Sequence, residues 1–281
     1  MIELEDVPDL IDPVVVFAFE GWNDAAEAAT GVLDHLLDAW DARVIGGVDP
    51  DDYYDFQMNR PIVAADARGI PSLAWPGTSI SVASPPGLDR DVILVRGIEP
   101  NMRWRRFCAE LLAACDDLGA QLVVTLGALL SDTPHSRPLP VSGTASEPDL
   151  LDRLDLEASS YEGPTGILGV IQDACVRLDI PAVSYWVAVP HYAAPPPCPK
   201  ASLALLGKLE DLFEAAIELG DLPEDSRAWE RGVDELAEEE EDIADYIREL
   251  EESRDTAELP EASGEAIARE FERYLKRRDA D

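Results

Sequence analysis

The sequence predicts an α/β fold: a three-layer α/β/α sandwich with a mostly parallel central sheet, followed by a C-terminal helical hairpin. Three observations carry this expectation. The run VVVFAF at 14–19 is apolar at every position, the mark of a strand covered on both faces, as strands of parallel sheets are. A polar turn at 20–24 follows, and then a helical stripe of Ala25, Ala28, Ala29, Val32, Leu33, Leu36 and Leu37. Beyond it, strand-like and helix-like stretches alternate, with one early hairpin inserted.

The elements follow in order. Asp24 is placed to cap the first helix. A second strand over 43–48 ends at Asp49-Pro50, and the polar, aromatic stretch DPDDYYDFQMNRP reads as an ordered surface loop. Segments 61–65 and 70–75 flank a turn and form a short hairpin. Strands are expected at 78–82 and 91–96. Glu99-Pro100-Asn101 opens a helix over 101–118 with Trp104, Phe107, Cys108, Leu111, Leu112 and Cys115 on one face. Gly119 ends it, and QLVVTL at 121–126 is the next strand. Pro134, Pro138 and Pro140 exclude a regular helix through the segment after it. Residues 150–160 fit no single pattern. Gly163-Pro164-Thr165-Gly166 opens a helix running to 178, with Pro164 suited to its first turn. The last core strand is 182–189, and an amphipathic helix spans 200–219.

From Gly220 the composition shifts. Residues 1–220 form the expected core domain, and 221–281 an acidic helical extension. Its apolar stripe runs through Val233, Leu236, Ile243, Ile247 and Leu250. A break near Leu259-Pro260 precedes a second helix carrying Ile267, Phe271 and Leu275. The stripe can lie on the domain or on a partner, or the extension can be a solvated acidic appendage.

Charge narrows the partners. With 22 basic and 58 acidic side chains the formal net charge is −36, which repels phosphate backbones and anionic lipid headgroups. Neither nucleic acid nor membrane is an expected partner, and no apolar run reaches the roughly 20 residues needed to span a bilayer. The amino-terminal stretch lacks the basic-then-apolar pattern of a secretory signal. Cys108, Cys115, Cys175 and Cys198 include no CxxC pair and read as reduced thiols of a cytoplasmic protein.

Five polar clusters follow strands or open helices: 20–24, 97–101, 127–137, 162–166 and 191–200. In a parallel sheet these meet along the carboxyl edge, where open α/β sheets bind ligands. The ligand-binding candidates are Glu20, Trp22, Asn23, Asp24, Glu99, Arg137, Gly163, Thr165 and Gly166. His135 and His191 follow strands and have the titration range of a general acid or base, with Asp132 and Glu162 as orienting carboxylates. Each histidine can equally hydrogen-bond loop backbone, and His35 lies within the first helix. The glycine turn at 163–166 could hold an anion, but it lacks the GxxxxGK[ST] and GxGxxG spacings. No GxSxG or HExxH occurs, and three histidines without a cysteine pair do not make an ordinary zinc site. No cofactor and no metal is therefore expected.

Five stretches in this order resemble the proteasome assembly chaperone 2 (PAC2) family in its bacterial, actinobacterial-type branch: FEGWNDAAEAATGVLDHL (19–36), RGIEPNMRWRRF (96–107), LGALLSDTPHSRPLPVSGTAS (126–146), YEGPTGILGV (161–170) and WVAVPHYAAPPPCPKASLALL (186–206). One departure is Asp24-Ala25-Ala26, where the family pattern has Asp-Ala-Gly. The resemblance implies a phosphorylase/hydrolase-like core, homo-oligomers with the trimer favoured, and a proteasome-related protein partner. The sequence ends KRRDAD, without the hydrophobic–tyrosine–any-residue tail of docking relatives. A non-enzymatic assembly or interaction protein is the expected function. The alternative is a small-molecule enzyme of nucleoside or glycoside hydrolase or phosphorylase type, working at the carboxyl edge of the sheet.

Overall fold

The seven-residue strand at the amino end occupies the middle of an eight-stranded sheet. The structure, a computed structural model, describes residues 2–65, 69–159 and 161–258. In chain order these form β1 (Ile2–Leu4), β2 (Val14–Glu20), α1 (Ala28–Ala39), β3 (Arg43–Val48), β4 (Ile62–Ala65), β5 (Pro71–Ala74), β6 (Thr78–Ala83), β7 (Val92–Ile98), α2 (Trp104–Asp117), β8 (Leu122–Ser131), β9 (Val141–Ala145), α3 (Pro148–Leu154), α4 (Ile167–Arg177), β10 (Ala182–Pro190), α5 (Pro199–Phe213), α6 (Leu222–Glu239) and α7 (Glu241–Glu258).

The sheet order is β1-β3-β6-β7-β2-β8-β10-β9, and β4 and β5 form a separate two-stranded sheet. β2 runs parallel to both β7 and β8, and β8 runs parallel to β10. The flanking pairs β1–β3, β3–β6, β6–β7 and β9–β10 are antiparallel. The sheet is therefore mixed, with a parallel centre and antiparallel flanks. Chain length explains the β6–β7 flank: the short turn between them has no room for the crossover helix a parallel pair needs.

Alternate residues of β2 build the two halves of the core. Val14, Val16 and Ala18 pack with Ala29, Val32 and Leu36 of α1 and Leu205 and Leu209 of α5. Val15, Phe17 and Phe19 pack on the other face with Phe107 and Leu111 of α2 and Ile167 and Ile171 of α4. The Phe19 and Phe107 rings meet edge to face at 5.8 Å. Helices thus cover both faces of the sheet, which is why its central strands read as unbroken apolar runs.

Several boundaries differ from the sequence expectation, each for a backbone reason. Residues Ala25–Glu27 form a single 3₁₀ turn in which Ala26 (φ 54°) and Glu27 (φ 53°) are left-handed, so α1 starts only at Ala28. Asp24 still caps it from a distance: its Oδ1 accepts from the Ala29 N–H at 2.7 Å and its Oδ2 from the Thr30 hydroxyl. Arg103 (φ 58°) delays α2 to Trp104, and Glu214 (φ 53°) ends α5 early. Pro164 lies outside α4, whose N-cap is Gly166. β9 and α3 fall in stretches for which the sequence predicts no regular element. β9 is an edge strand against β10, the position that tolerates the prolines before it.

The extension breaks earlier than expected. Glu240 adopts an extended backbone (φ −128°, ψ 103°) that separates α6 from α7 inside the run of acids at 238–242. Stacked like charges disfavour a continuous helix there. The break near Leu259-Pro260 and the second helix with Ile267, Phe271 and Leu275 lie outside the described residues.

Ala26 sits where the resembled pattern has glycine, and its left-handed conformation supplies the reason: an L side chain costs roughly 1–2 kcal/mol there and glycine does not. Ala26→Gly is expected to stabilise the protein by up to about 1 kcal/mol, after the entropy that glycine returns to the unfolded chain. Urea unfolding checks this, and a loss of stability would contradict it.

Candidate functional site

Two constellations form where β2, β7, β8 and β10 end. The first is a clasp around Glu99. The Glu99 backbone N–H donates to the Glu20 carbonyl at 2.9 Å, holding the end of β7 against that of β2. Its carboxylate Oε1 accepts from Asn23 Nδ2 at 2.7 Å and from the Ile167 backbone N–H at 2.8 Å. One carboxylate thereby joins the β2–α1 turn to the amino end of α4. The N-terminal N–H that the sequence offered to an outside anion is filled from within. Asn23 is 1% exposed and packs directly on Gly166, where an added Cβ would come within 2.2 Å of its Oδ1. The Asn23 carbonyl also accepts from the Ala128 N–H at 2.8 Å, which fastens the same turn to β8.

Asp24, buried beside this clasp, has its pKa raised by burial despite the hydrogen bonds that oppose the rise. Glu20 pairs with Arg96 at 2.8 Å, and Arg96 also reaches Asp34 on α1. Trp22, Leu129, Leu130 and Tyr161 are exposed apolar side chains of the same turns and strand end. Glu162, Gly163 and Thr165 are exposed, and among the described contacts Glu162 makes no hydrogen bond or ion pair with either histidine.

The second constellation is the loop after β8, covered by α6 and α7. His135 is only 2% exposed. The Tyr192 hydroxyl accepts from the His135 backbone N–H at 2.7 Å and lies 2.9 Å from Nδ1. The other ring nitrogen, Nε2, lies 3.0 Å from Asp234 Oδ1 on α6, so both nitrogens have protein partners. Burial pushes the Tyr192 phenol up to about 12, so it keeps its proton. The Lys200 ammonium donates to the His135 carbonyl at 2.5 Å and pairs with Glu230 of α6. Ser136 donates to Glu251 of α7, and Arg137 makes a two-pronged contact with Asp255 at 2.9 and 2.8 Å. Asp132 accepts from the Tyr246 hydroxyl at 3.0 Å and lies 3.3 Å from His191 Nδ1. The rings of His191, Tyr192 and Tyr246 pack edge to face.

The structure thus places His135 and His191 on either side of Tyr192, with Asp132 on His191. Glu20, Asn23, Asp24, Glu99 and Gly166 gather in the clasp, and Arg137 points to α7. This geometry gives the enzyme reading no support. Both His135 nitrogens are engaged by protein groups, and Asp132 binds Tyr246 as well as His191. Burial raises the thiols of Cys108, Cys115 and Cys175 to about 12 and that of Cys198 to about 11, far from a reactive thiolate. Among the described residues no cluster of three or more His, Cys, Asp or Glu could hold a metal, and no helix is long and apolar enough to cross a membrane.

Sequence reasoning missed the residues that cover the loop: Trp229, Glu230, Asp234, Tyr246, Glu251 and Asp255. Their signal was faint. Trp229 and Tyr246 are the aromatic residues of α6 and α7, and each faces a histidine ring of the core, at 6.3 and 5.4 Å between centroids.

A family model for the PAC2 family matches residues 18–237. The chain belongs to the PAC2 family. Among solved structures it is similar to a PAC2 family protein from Streptomyces avermitilis (56% identity, TM-score 0.79, covering 84% of this chain and 100% of that one). It is also similar to a proteasome-assembly chaperone homologue from Mycobacterium tuberculosis (50% identity, TM-score 0.76, 84% and 99% covered). An archaeal proteasome activator from Pyrococcus furiosus shares the fold at 15% identity and a TM-score of 0.67, covering 84% of this chain and 98% of that one. No curated protein matches the chain.

The PAC2 match includes both the clasp and the start of the cover, since it reaches through most of α6. Glu99→Ala in this PAC2 protein leaves the buried Asn23 amide and the Ile167 N–H without their acceptor. A loss of about 1–3 kcal/mol is expected, with faster amide exchange in the first turn of α4. Unchanged stability and unchanged exchange would contradict the clasp.

The cover has its own pH dependence. The Arg137 guanidinium holds the Asp255 carboxyl below its ordinary value of 3.8. The contribution of this pair is therefore present above that value and is lost as pH falls through the lowered one. Protease protection of α7 should hold from neutral pH down to 3.8 and fall below it. Asp255→Asn should lower that protection already at neutral pH.

Proposed function

We propose that this PAC2 protein is a non-enzymatic, homo-oligomeric assembly or interaction protein of the cytoplasm, with a proteasome-related protein partner. The observation that carries the reading is the 50% identity to a proteasome-assembly chaperone homologue over 84% of the chain. The site supports it, because Glu99, His135, Asp132, Ser136 and Arg137 each bind other groups of the protein. Trimers are the assembly the family resemblance favours. The four cysteines are free and buried, which suits a reducing compartment.

The proposal keeps the division into a core of 1–220 and an acidic extension of 221–281. The core carries the scaffold, and the extension covers the loop at Asp132–Arg137 and presents its outer acids to a partner. With a net charge of −36, the partner surface that fits best is basic.

The test uses the full chain and the proteasome α-subunits of its own organism. Mixing them at micromolar concentration should give a complex in analytical ultracentrifugation that weakens as salt rises. Absence of any complex at low salt, together with an unchanged rate of ring assembly, would overturn the reading.

A further inference from the structure

The hairpin of β4 and β5 stands apart from the main sheet and pairs only within itself. Direct pairs put Ile62, Ala64, Ser72 and Ala74 on one face and Val63, Ala65, Pro71 and Leu73 on the other. All eight residues are exposed. Ile62 and Val63 are 67% and 68% exposed, and Met58 beside them is 74% exposed. Trp75, at the foot of the hairpin, rests on Phe56 with ring centroids 4.9 Å apart and is still half exposed. An isolated two-stranded hairpin is marginal in water, and apolar groups on both faces give it no solvent side.

Charge says what covers it. The stretch from 56 to 88 holds two arginines and one aspartate, a net of 2 − 1 = +1, within a chain of net −36. A stretch of this charge does not repel a second copy, whose net charge is strongly negative. The exposed side chains of Met58, Ile62, Val63, Leu73 and Trp75 offer on the order of 500 Å² of apolar surface, more than half of the roughly 800 Å² each partner contributes to a standard interface.

We infer that this hairpin is an arm that a second copy of the chain covers, and that it is the self-association surface of the protein. The inference rests on the homo-oligomer reading above and says which residues carry it.

The experiment compares the wild-type chain with V63D/L73D, two charges on one face of the arm, by light scattering at micromolar concentration. The wild type should have a multiple of the 30.7 kDa chain mass and the variant the mass of one chain, with the same far- and near-ultraviolet circular dichroism. A second readout needs no loss of assembly. The native cysteines are buried, so maleimide labelling of V63C reports the arm alone, and it should slow at least about tenfold as concentration carries the chain into the oligomer. A variant that keeps the wild-type mass, or a V63C thiol labelled equally fast at all concentrations of an oligomeric protein, overturns the arm and leaves the homo-oligomer standing. A wild-type chain that is monomeric throughout overturns both, including the case where the arm captures a different protein.

Discussion

β2 must be dry on both sides, and most of the architecture follows from that. Its six buried apolar residues alternate between two cores, so a helical layer is needed on each face. Its backbone has two edges, and β7 and β8 satisfy both in parallel register. Parallel pairing puts the ends of β2, β7, β8 and β10 on one edge of the sheet, which is why residues as distant in sequence as Asn23, Glu99 and Ile167 can share a carboxylate. The hydrophobic effect fixes the layers, and the polar clasp fixes how the loops leave them.

That edge is where α/β enzymes keep their chemistry, and here it is occupied by the protein's own groups. Glu99 takes the place of an incoming anion at the amino end of α4. Asp234 and Tyr192 engage both ring nitrogens of His135, and α7 closes over Ser136 and Arg137. A carboxylate that neutralises a helix end and a histidine hemmed in by two partners are suited to rigidity. A rigid edge is what an interaction protein needs, since it loses little conformational freedom on binding.

The parts legible in the sequence were those with a clear apolar pattern. The unbroken run of β2, the helical stripe of α2 and the two short runs that pair as β4 and β5 each show one. Left-handed residues were not legible, because Ala26, Arg103 and Glu214 adopt conformations that tertiary contacts impose on ordinary side chains. The docking of α6 and α7 was hidden for a different reason. Their contacts to the core are ion pairs and aromatic edges spread among many other acids, and a sequence cannot say which carboxylate of a crowded set meets Arg137 or Lys200. The candidate residues at the strand ends were legible as a group because topology gathers them, but their mutual bonding depends on distances of a few ångström that no spacing encodes.

The bond from Lys200 to the His135 carbonyl has a practical side. The sequence contains three lysines, at 200, 208 and 276, and the first is nearly enclosed between the loop and Glu230. Amine-reactive cross-linkers, acylating labels and enzymes that tag lysines therefore meet a protein almost without handles. Among its lysines, Lys208 on α5 is half-sheltered and Lys276 lies near the end of the sequence.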